Sequence, residues 1–154
     1  MLRKIFLLIV FLLLSACGYE AIHSIKNIDS YNFSINELSF TGDRIVNLKI
    51  KEKLNNYTLE KRDKSFTLKI HSTTKRVILG KNISGDPTGF KTTVTVKVKF
   101  LEKNNTKNNF SIVENFNYNN NTNKFDLKKY EREVKNNLAE LITKKLIFKL
   151  TKIQ

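Results

Sequence analysis

Apolar and polar side chains alternate along four stretches of the chain, and a period of two is typical of strands that bury one face. The predicted strands occupy residues 31–40, 65–80, 90–102 and 110–118. The apolar positions expected to share the buried face are Phe66, Leu68, Ile70, Val94, Val96, Val98, Phe100, Phe110, Ile112, Phe116 and Tyr118. In the first strand the phase of the alternation changes near Glu37, which indicates a bulge or bend there.

Two other stretches place apolar residues every three or four positions, which is the period of an amphipathic helix. The first begins at Arg44, behind Asp43 as its predicted N-cap, and the second covers residues 126–150 with Asp126 as its cap. The apolar faces are Ile45, Val46, Leu48, Ile50, Leu54 and Tyr57 in the first helix, and Leu127, Tyr130, Val134, Leu138, Leu141, Ile142 and Leu146 in the second. We expect Leu138, Leu141 and Ile142 to be buried against a sheet.

The order of these elements, β-α-β-β-β-α, predicts an α+β fold of the α/β-sandwich type. Hairpin-length polar turns join the last three strands, and the helix after the first strand allows a right-handed crossover to a parallel neighbour. A mixed four-stranded sheet with both helices packed on one face buries every apolar face. The other sheet face would then carry Lys69, His71, Thr93, Thr95, Lys97 and Lys99. Residues 31–154 are expected to form this single domain.

The first seventeen residues, MLRKIFLLIVFLLLSAC, follow a different pattern. Arg3 and Lys4 precede ten uncharged apolar residues, a length typical of a signal peptide and too short to span a bilayer. The following Leu-Ser-Ala-Cys resembles the lipobox of bacterial lipoproteins. That resemblance implies that residues 1–16 are removed, that Cys17 is acylated, and that residues 17–30 form a tether. An ordinary secretory signal with an incidental cysteine is the alternative.

Charge narrows the choice of partner. The chain has a net charge of +14, and +12 without Arg3 and Lys4, so anionic partners are favoured. Lysine outnumbers arginine 23 to 5, which is unlike the arginine-rich sites that read nucleic acid, so we expect no nucleic-acid partner. A competing interpretation is that codon bias toward lysine and asparagine produced this positive charge, and that the lysine-rich strand faces are simply solvated.

The inventory of reactive groups argues against an enzyme. His23 and His71 are the two histidines, His23 lies in the predicted tether, and the single thiol of Cys17 would be acylated. The sequence contains no HExxH, GxSxG or phosphate-binding glycine loop and no metal-ligand spacing. We therefore expect no catalytic residue, no metal and no cofactor, and we interpret His71 as an exposed strand residue.

Several features together resemble the LPS-assembly lipoprotein LptE family. They are the opening Leu-Ser-Ala-Cys-Gly-Tyr, the strand and helix of residues 35–57, the hairpin around residues 80–89 and the final helix with Asn-Leu-Ala-Glu-Leu at 137–141. The resemblance implies a lipid-anchored outer-membrane lipoprotein that faces the periplasm. It implies that the partner is the large β-barrel LPS translocon, in which the protein is a plug and helps to insert lipopolysaccharide without covalent chemistry.

Lipopolysaccharide carries phosphates next to acyl chains, so a basic hairpin beside apolar residues is the candidate contact. The candidate LPS-binding residues are Lys69, Lys75, Arg76, Lys81, Lys91, Lys97 and Lys99, with Val77, Ile78, Leu79 and Phe90 as apolar neighbours. The alternative function is that of a periplasm-facing lipoprotein that serves as an auxiliary subunit of another lipid-transport or secretion complex.

Overall fold

The computed structural model describes residues 33–59, 61–102 and 107–153. Its elements are β1 (Ser34–Gly42), α1 (Arg44–Leu54), a 3-10 turn (Asn55–Tyr57), β2 (Ser65–Lys81), β3 (Pro87–Glu102), β4 (Lys107–Asn119) and α2 (Lys124–Lys152). The predicted signal peptide (1–16), Cys17, the tether (17–30) and the start of the first predicted strand lie outside the described residues.

The four strands form one sheet in the order β1-β2-β3-β4. β1 runs parallel to β2, whereas β2, β3 and β4 are antiparallel neighbours. The predicted mixed sheet and element order are therefore confirmed. The register of β1 shifts between Ile35 and Glu37, which confirms the predicted bulge.

The turn from β1 into α1 depends on a glycine. Gly42 has φ +98°, and a Cβ at this position would lie 1.9 Å from the backbone oxygen of Ser72. Asp43 follows and caps α1 as predicted, because its carboxylate accepts hydrogen bonds from the amides of Ile45 (2.9 Å) and Val46 (3.2 Å). This close approach fixes where the chain leaves the sheet and begins the helix.

The core lies between the helices and the even-numbered face of β2 and β3. The predicted buried positions in these strands, from Phe66 to Ile70 and from Val94 to Phe100, are buried. The helical residues that complete the core are Val46, Ile50, Leu54, Val134, Leu138, Ala139, Ile142, Thr143, Leu146 and Leu150. None of the described helices is long and apolar enough to cross a membrane.

One detail of the predicted strands and four details of the predicted helices are wrong. Phe116, expected on the buried face, is 45% exposed on β4, the edge strand of the sheet. Leu141 is 47% exposed, and Leu48 and Tyr130 are also exposed. The buried stripe of α2 follows an i+4 row that includes Leu138 and Ile142, and one helical step of about 100° turns Leu141 away from it. The N-cap of α2 is Asn123 and not Asp126, because its side chain accepts from the amides of Phe125 and Asp126 and starts the helix earlier.

Candidate functional site

The candidate basic residues separate according to the pleat of the sheet. Odd-numbered residues of β2 and β3 point away from the helices, so Lys69, Lys75, Lys91, Lys97 and Lys99 lie on the outer face. Even-numbered residues point toward the helices, and Arg76 is among them. The structure therefore does not bring the seven residues together as one surface.

On the outer face, Lys69, Lys97 and Lys99 form a patch that we call the sheet-face lysines. Lys69 is the direct cross-strand partner of Lys99, and His71 is that of Lys97. The imidazole Nδ1 of His71 lies 2.9 Å from the hydroxyl of Thr41 on β1. No carboxylate of the described residues lies within ion-pair distance of these lysines.

Two small depressions lie among the stems of the sheet-face lysines. One of about 380 Å³ is lined by Lys69, Lys99 and residues of β3 and β4, and one of about 360 Å³ by Lys69, Lys97, His71 and residues near the end of β1. Polar and basic groups thus surround shallow spaces on a face that neither helix covers, as the alternation predicted. Such a face has the positive charge that favours an anion.

Lys75, Lys81 and Lys91, the tip lysines, lie toward the β2–β3 turn. Apolar residues accompany them: Val77, Ile78 and Leu79 are exposed, and Ile83 at the turn is fully exposed. Phe90, which the sequence suggested as a further apolar contact, is only 4% exposed because it lies on the helix side of the sheet. The tip therefore combines accessible aliphatic side chains with cations that form no ion pair within the part of the chain that the structure describes.

The β2–β3 turn is held by its own polar groups. Asn82 and Asp86 exchange hydrogen bonds: the Asn82 amide donates to the Asp86 carbonyl (2.9 Å), and the Asp86 amide donates to the Asn82 side chain (2.8 Å). Gly85 adopts φ +85°, which a glycine allows without strain. Asp86 is the acidic residue nearest the tip lysines in sequence, yet it forms no ion pair with them among the described residues.

Arg76 has partners that remove it from the candidate phosphate site. Its guanidinium binds the carboxylate of Glu131 on α2 and lies 4.6 Å from the ring centroid of Phe90. The hydrogen bond with Glu131 raises the pKa of Arg76 above its ordinary value, against partial desolvation. Arg76 therefore anchors the hairpin to the helix.

Tyr118 joins the same network from β4. Its hydroxyl donates to Glu131 (3.0 Å) and lies 3.2 Å from the hydroxyl of Thr92. Burial raises the pKa of Tyr118, so the phenol stays protonated. The network fixes the position of the hairpin relative to α2, and the sequence contained no local signal for it.

A second network connects the two helices with β2. Asp43 accepts a hydrogen bond from the ammonium of Lys135 on α2 (3.1 Å), while the Ser72 hydroxyl binds Asn47 of α1 (2.7 Å). Partial burial on its own raises the pKa of Asp43, but the neighbouring Thr74 hydroxyl, the Lys135 ammonium and the Val46 amide together outweigh it, so the pKa lies below its ordinary value. Lys135 is thus an internal structural cation rather than a free surface charge.

Sequence reasoning missed two features of the hairpin. Ile83 was treated as part of a polar turn, although its position between Asn82 and Ser84 leaves an aliphatic side chain at the apex. The separation of Arg76 from the lysines followed from the same even–odd alternation that predicted the strand, so that signal was present.

Among the described residues, no group of three or more potential metal ligands is found.

Three solved structures share this fold. Rare lipoprotein B from Shewanella oneidensis superposes with a TM-score of 0.53 at 13% identity over 72% of this chain and 93% of that chain. A minor lipoprotein from Acinetobacter baumannii gives 0.51 at 17% identity over 77% and 92%. Lipoprotein B from Nitrosomonas europaea gives 0.50 at 12% identity over 75% and 80%. No protein-family model and no curated protein matches the chain. At such identities the likeness establishes the fold, which is one that bacterial lipoproteins have.

Proposed function

We propose that this protein is an outer-membrane lipoprotein, acylated at Cys17 and facing the periplasm, that assists a large β-barrel translocon in inserting lipopolysaccharide. Its role is that of a plug and binding partner without catalysis. The observation that carries the proposal is the β2–β3 hairpin, where unpaired tip lysines adjoin exposed aliphatic side chains. The lipobox-like Leu-Ser-Ala-Cys and the fold shared with bacterial lipoproteins support it.

The chemistry of the hairpin matches a phosphorylated glycolipid. Phosphates attract the ammonium groups of Lys75, Lys81 and Lys91, whereas acyl chains gain from contact with Leu79 and Ile83. A purely polar anion would use the charges but not the aliphatic tip. An apolar ligand would use the tip but not the lysines.

Binding of lipopolysaccharide is tested with two triple charge reversals that change the net charge by the same amount. Each lysine near an anionic lipid surface contributes about 1 kcal/mol, so reversing the three tip lysines to Glu should weaken binding by at least about 100-fold. The control variant reverses Lys51, Lys124 and Lys128, which are exposed and form no ion pair among the described residues. Lys135 is excluded from the control because of its bond to Asp43.

The apolar half of the surface needs its own variant. Replacing Leu79 and Ile83 with Ser leaves the charge unchanged and should still weaken binding. Rising salt should lower the affinity of the parent, since exposed charges are screened over about 10 Å at 0.1 M ionic strength. Equal losses in the tip and control charge variants would mean that only total charge matters, and the hairpin would not be a site.

The partner and the anchor are tested separately. Purification from membranes through a C-terminal tag should recover a large outer-membrane β-barrel, and the intact mass should correspond to an acylated chain that begins at Cys17. Recovery of the components of a different transport or secretion complex would favour the alternative function, that of an auxiliary subunit. A mature N-terminus elsewhere would refute the lipid anchor.

A further inference from the structure

A second surface of the domain has a different chemistry from the basic hairpin. An open cleft of about 1130 Å³ lies where the base of the β2–β3 turn, the loop after β4 and the first turns of α2 meet. Leu79 and Gly80 line it from the hairpin, and Asp126, Tyr130 and Glu133 line it from α2. This volume is comparable with pockets that hold ligands of several rings.

The cleft contains an aromatic side chain that is both accessible and held in place. Tyr130 is 43% exposed, and its ring packs edge-to-face on Tyr118 with 5.8 Å between the ring centroids. Tyr118 is itself fixed by its hydrogen bonds to Thr92 and Glu131. The ring of Tyr130 is therefore a preorganised platform, which lowers the entropic cost of binding a ligand against it.

Two carboxylates flank this ring on the same side of α2. Asp126 lies four residues before Tyr130 and Glu133 three residues after it, which places all three along one helical face. Both acids are exposed, and neither carboxylate has a hydrogen-bond or ion-pair partner among the described residues. Their oxygens are free to accept hydrogen bonds from a ligand.

Two asparagine side chains in the loop after β4 each leave one hydrogen-bonding group of the amide available to a ligand. The side-chain NH₂ of Asn120 donates to the carbonyl of Pro87 (2.7 Å), which leaves its amide oxygen available. The side-chain oxygen of Asn121 accepts from the amide of Asn123 (2.9 Å), which leaves its NH₂ available. One end of each amide holds the loop, and the other can serve a ligand.

The charge of the cleft argues against phosphate as the ligand. Its lining contains the carboxylates of Asp126 and Glu133 and one cation, Lys129, in a chain whose net charge is +14. Sugar hydroxyls, in contrast, both donate and accept hydrogen bonds, and the C–H face of a pyranose packs on an aromatic ring. We propose that this cleft binds a neutral saccharide, with one sugar ring on Tyr130 and its hydroxyls bound by the carboxylates and loop amides.

This proposal does not depend on the proposed role in lipopolysaccharide insertion. Two envelope sources present such sugars: the core oligosaccharide of lipopolysaccharide and the glycan strands of peptidoglycan. The test therefore uses two probes with the full-length protein in detergent. They are a neutral hexose oligosaccharide from the outer core of lipopolysaccharide, free of phosphate, Kdo and lipid A, and a trimer of N-acetylglucosamine.

Isothermal titration should detect binding of at least one probe at millimolar concentrations, and the probe that binds identifies the source. Tyr130→Ala should weaken binding about tenfold, the amount expected from loss of one aromatic contact, whereas Tyr130→Phe keeps the ring and should bind within about twofold of the parent. The Asp126→Ala, Glu133→Ala double variant should also weaken binding, and these exposed acids can be removed without touching the core.

Phe148→Ala is the matched control, since Phe148 is an exposed aromatic residue near the other end of α2. It should leave binding unchanged. The proposal is overturned if neither probe binds, if Phe148→Ala weakens binding as much as Tyr130→Ala, or if Tyr130→Phe loses binding as well. Charge reversal of the tip lysines should leave saccharide binding intact, which separates this site from the lipopolysaccharide surface.

Discussion

Lys69 and Lys99 are direct cross-strand partners on the outer face, and replacing either one with Glu should stabilise the fold. Side chains in such a pair start from Cβ atoms about 5 Å apart, so two ammonium groups repel each other. No carboxylate of the described residues lies within ion-pair distance of them. A Glu at either position would convert repulsion into attraction.

The magnitude follows from the energies of cross-strand pairs. An opposite-charge pair contributes about 0.2–1 kcal/mol, and a like-charge pair costs a similar amount. Each single variant, Lys69→Glu or Lys99→Glu, should therefore raise the free energy of unfolding by roughly 0.5–1.5 kcal/mol. The double variant restores a like-charge pair of two Glu residues and should lose most of this gain.

Urea unfolding of the parent, both single variants and the double variant closes a double-mutant cycle. We expect the double variant to be less stable, by about 1 kcal/mol or more, than the sum of the two single effects. This coupling free energy should shrink at about 1 M salt, where the screening length falls to roughly 3 Å. If the effects of the single variants simply add, the gain comes from lower net charge over the whole chain. The reasoning about a local pair would then be wrong.

Four further substitutions test the fold. Leu138→Ala should cost about 2–5 kcal/mol of unfolding free energy because Leu138 is buried, whereas exposed Leu141→Ala should cost less than about 1 kcal/mol by the same denaturation assay. Gly42→Ala should cost at least about 2 kcal/mol, since the added Cβ would collide with backbone; an unchanged melting temperature would contradict this. Asp43→Asn keeps an N-cap but loses the ion pair to Lys135 and should cost roughly 1 kcal/mol at pH 7. Because the folded-state pKa of Asp43 is lowered, that contribution is present above its ordinary value of 3.8 and disappears as the pH falls through the folded-state pKa, so the two proteins should converge in acid.

Local patterns predicted the elements because the strand period of two residues and the helical period of three to four residues are both strong in this chain. Strand β3 alternates threonine and lysine with valine and phenylalanine from Thr93 to Phe100, and α2 repeats apolar residues at helical spacing. A parallel neighbour for β1 followed from the intervening helix and the handedness of crossovers, and the structure shows that this neighbour is β2. Asp43 was recognisable as a cap because it stands between a glycine and an amphipathic run.

Positions that depend on tertiary packing were not predictable in the same way. Leu141 fits the helical period as well as Leu138 does, and only the width of the contact with the sheet leaves it exposed. Asn123 and Asp126 are both good caps by residue type, so the start of α2 was decided by the loop geometry. The cleft between the hairpin and α2 is lined by segments about forty residues apart, Leu79 and Asn119 among them, so no local sequence pattern predicts it.

Acidic residues are distributed unevenly among the elements of this chain. Bias toward lysine codons adds cations wherever solvent allows, but it does not remove acids from particular strands. From Phe66 to Leu101 the one acidic residue is Asp86, whereas α2 mixes its lysines with Asp126, Glu131, Glu133 and Glu140. Like charges that face each other across β2 and β3 reduce stability, by about 0.2–1 kcal/mol for a directly opposed pair. An anionic partner that covers this face would reverse that cost, so the stabilising Lys69→Glu change should at the same time weaken binding of that partner.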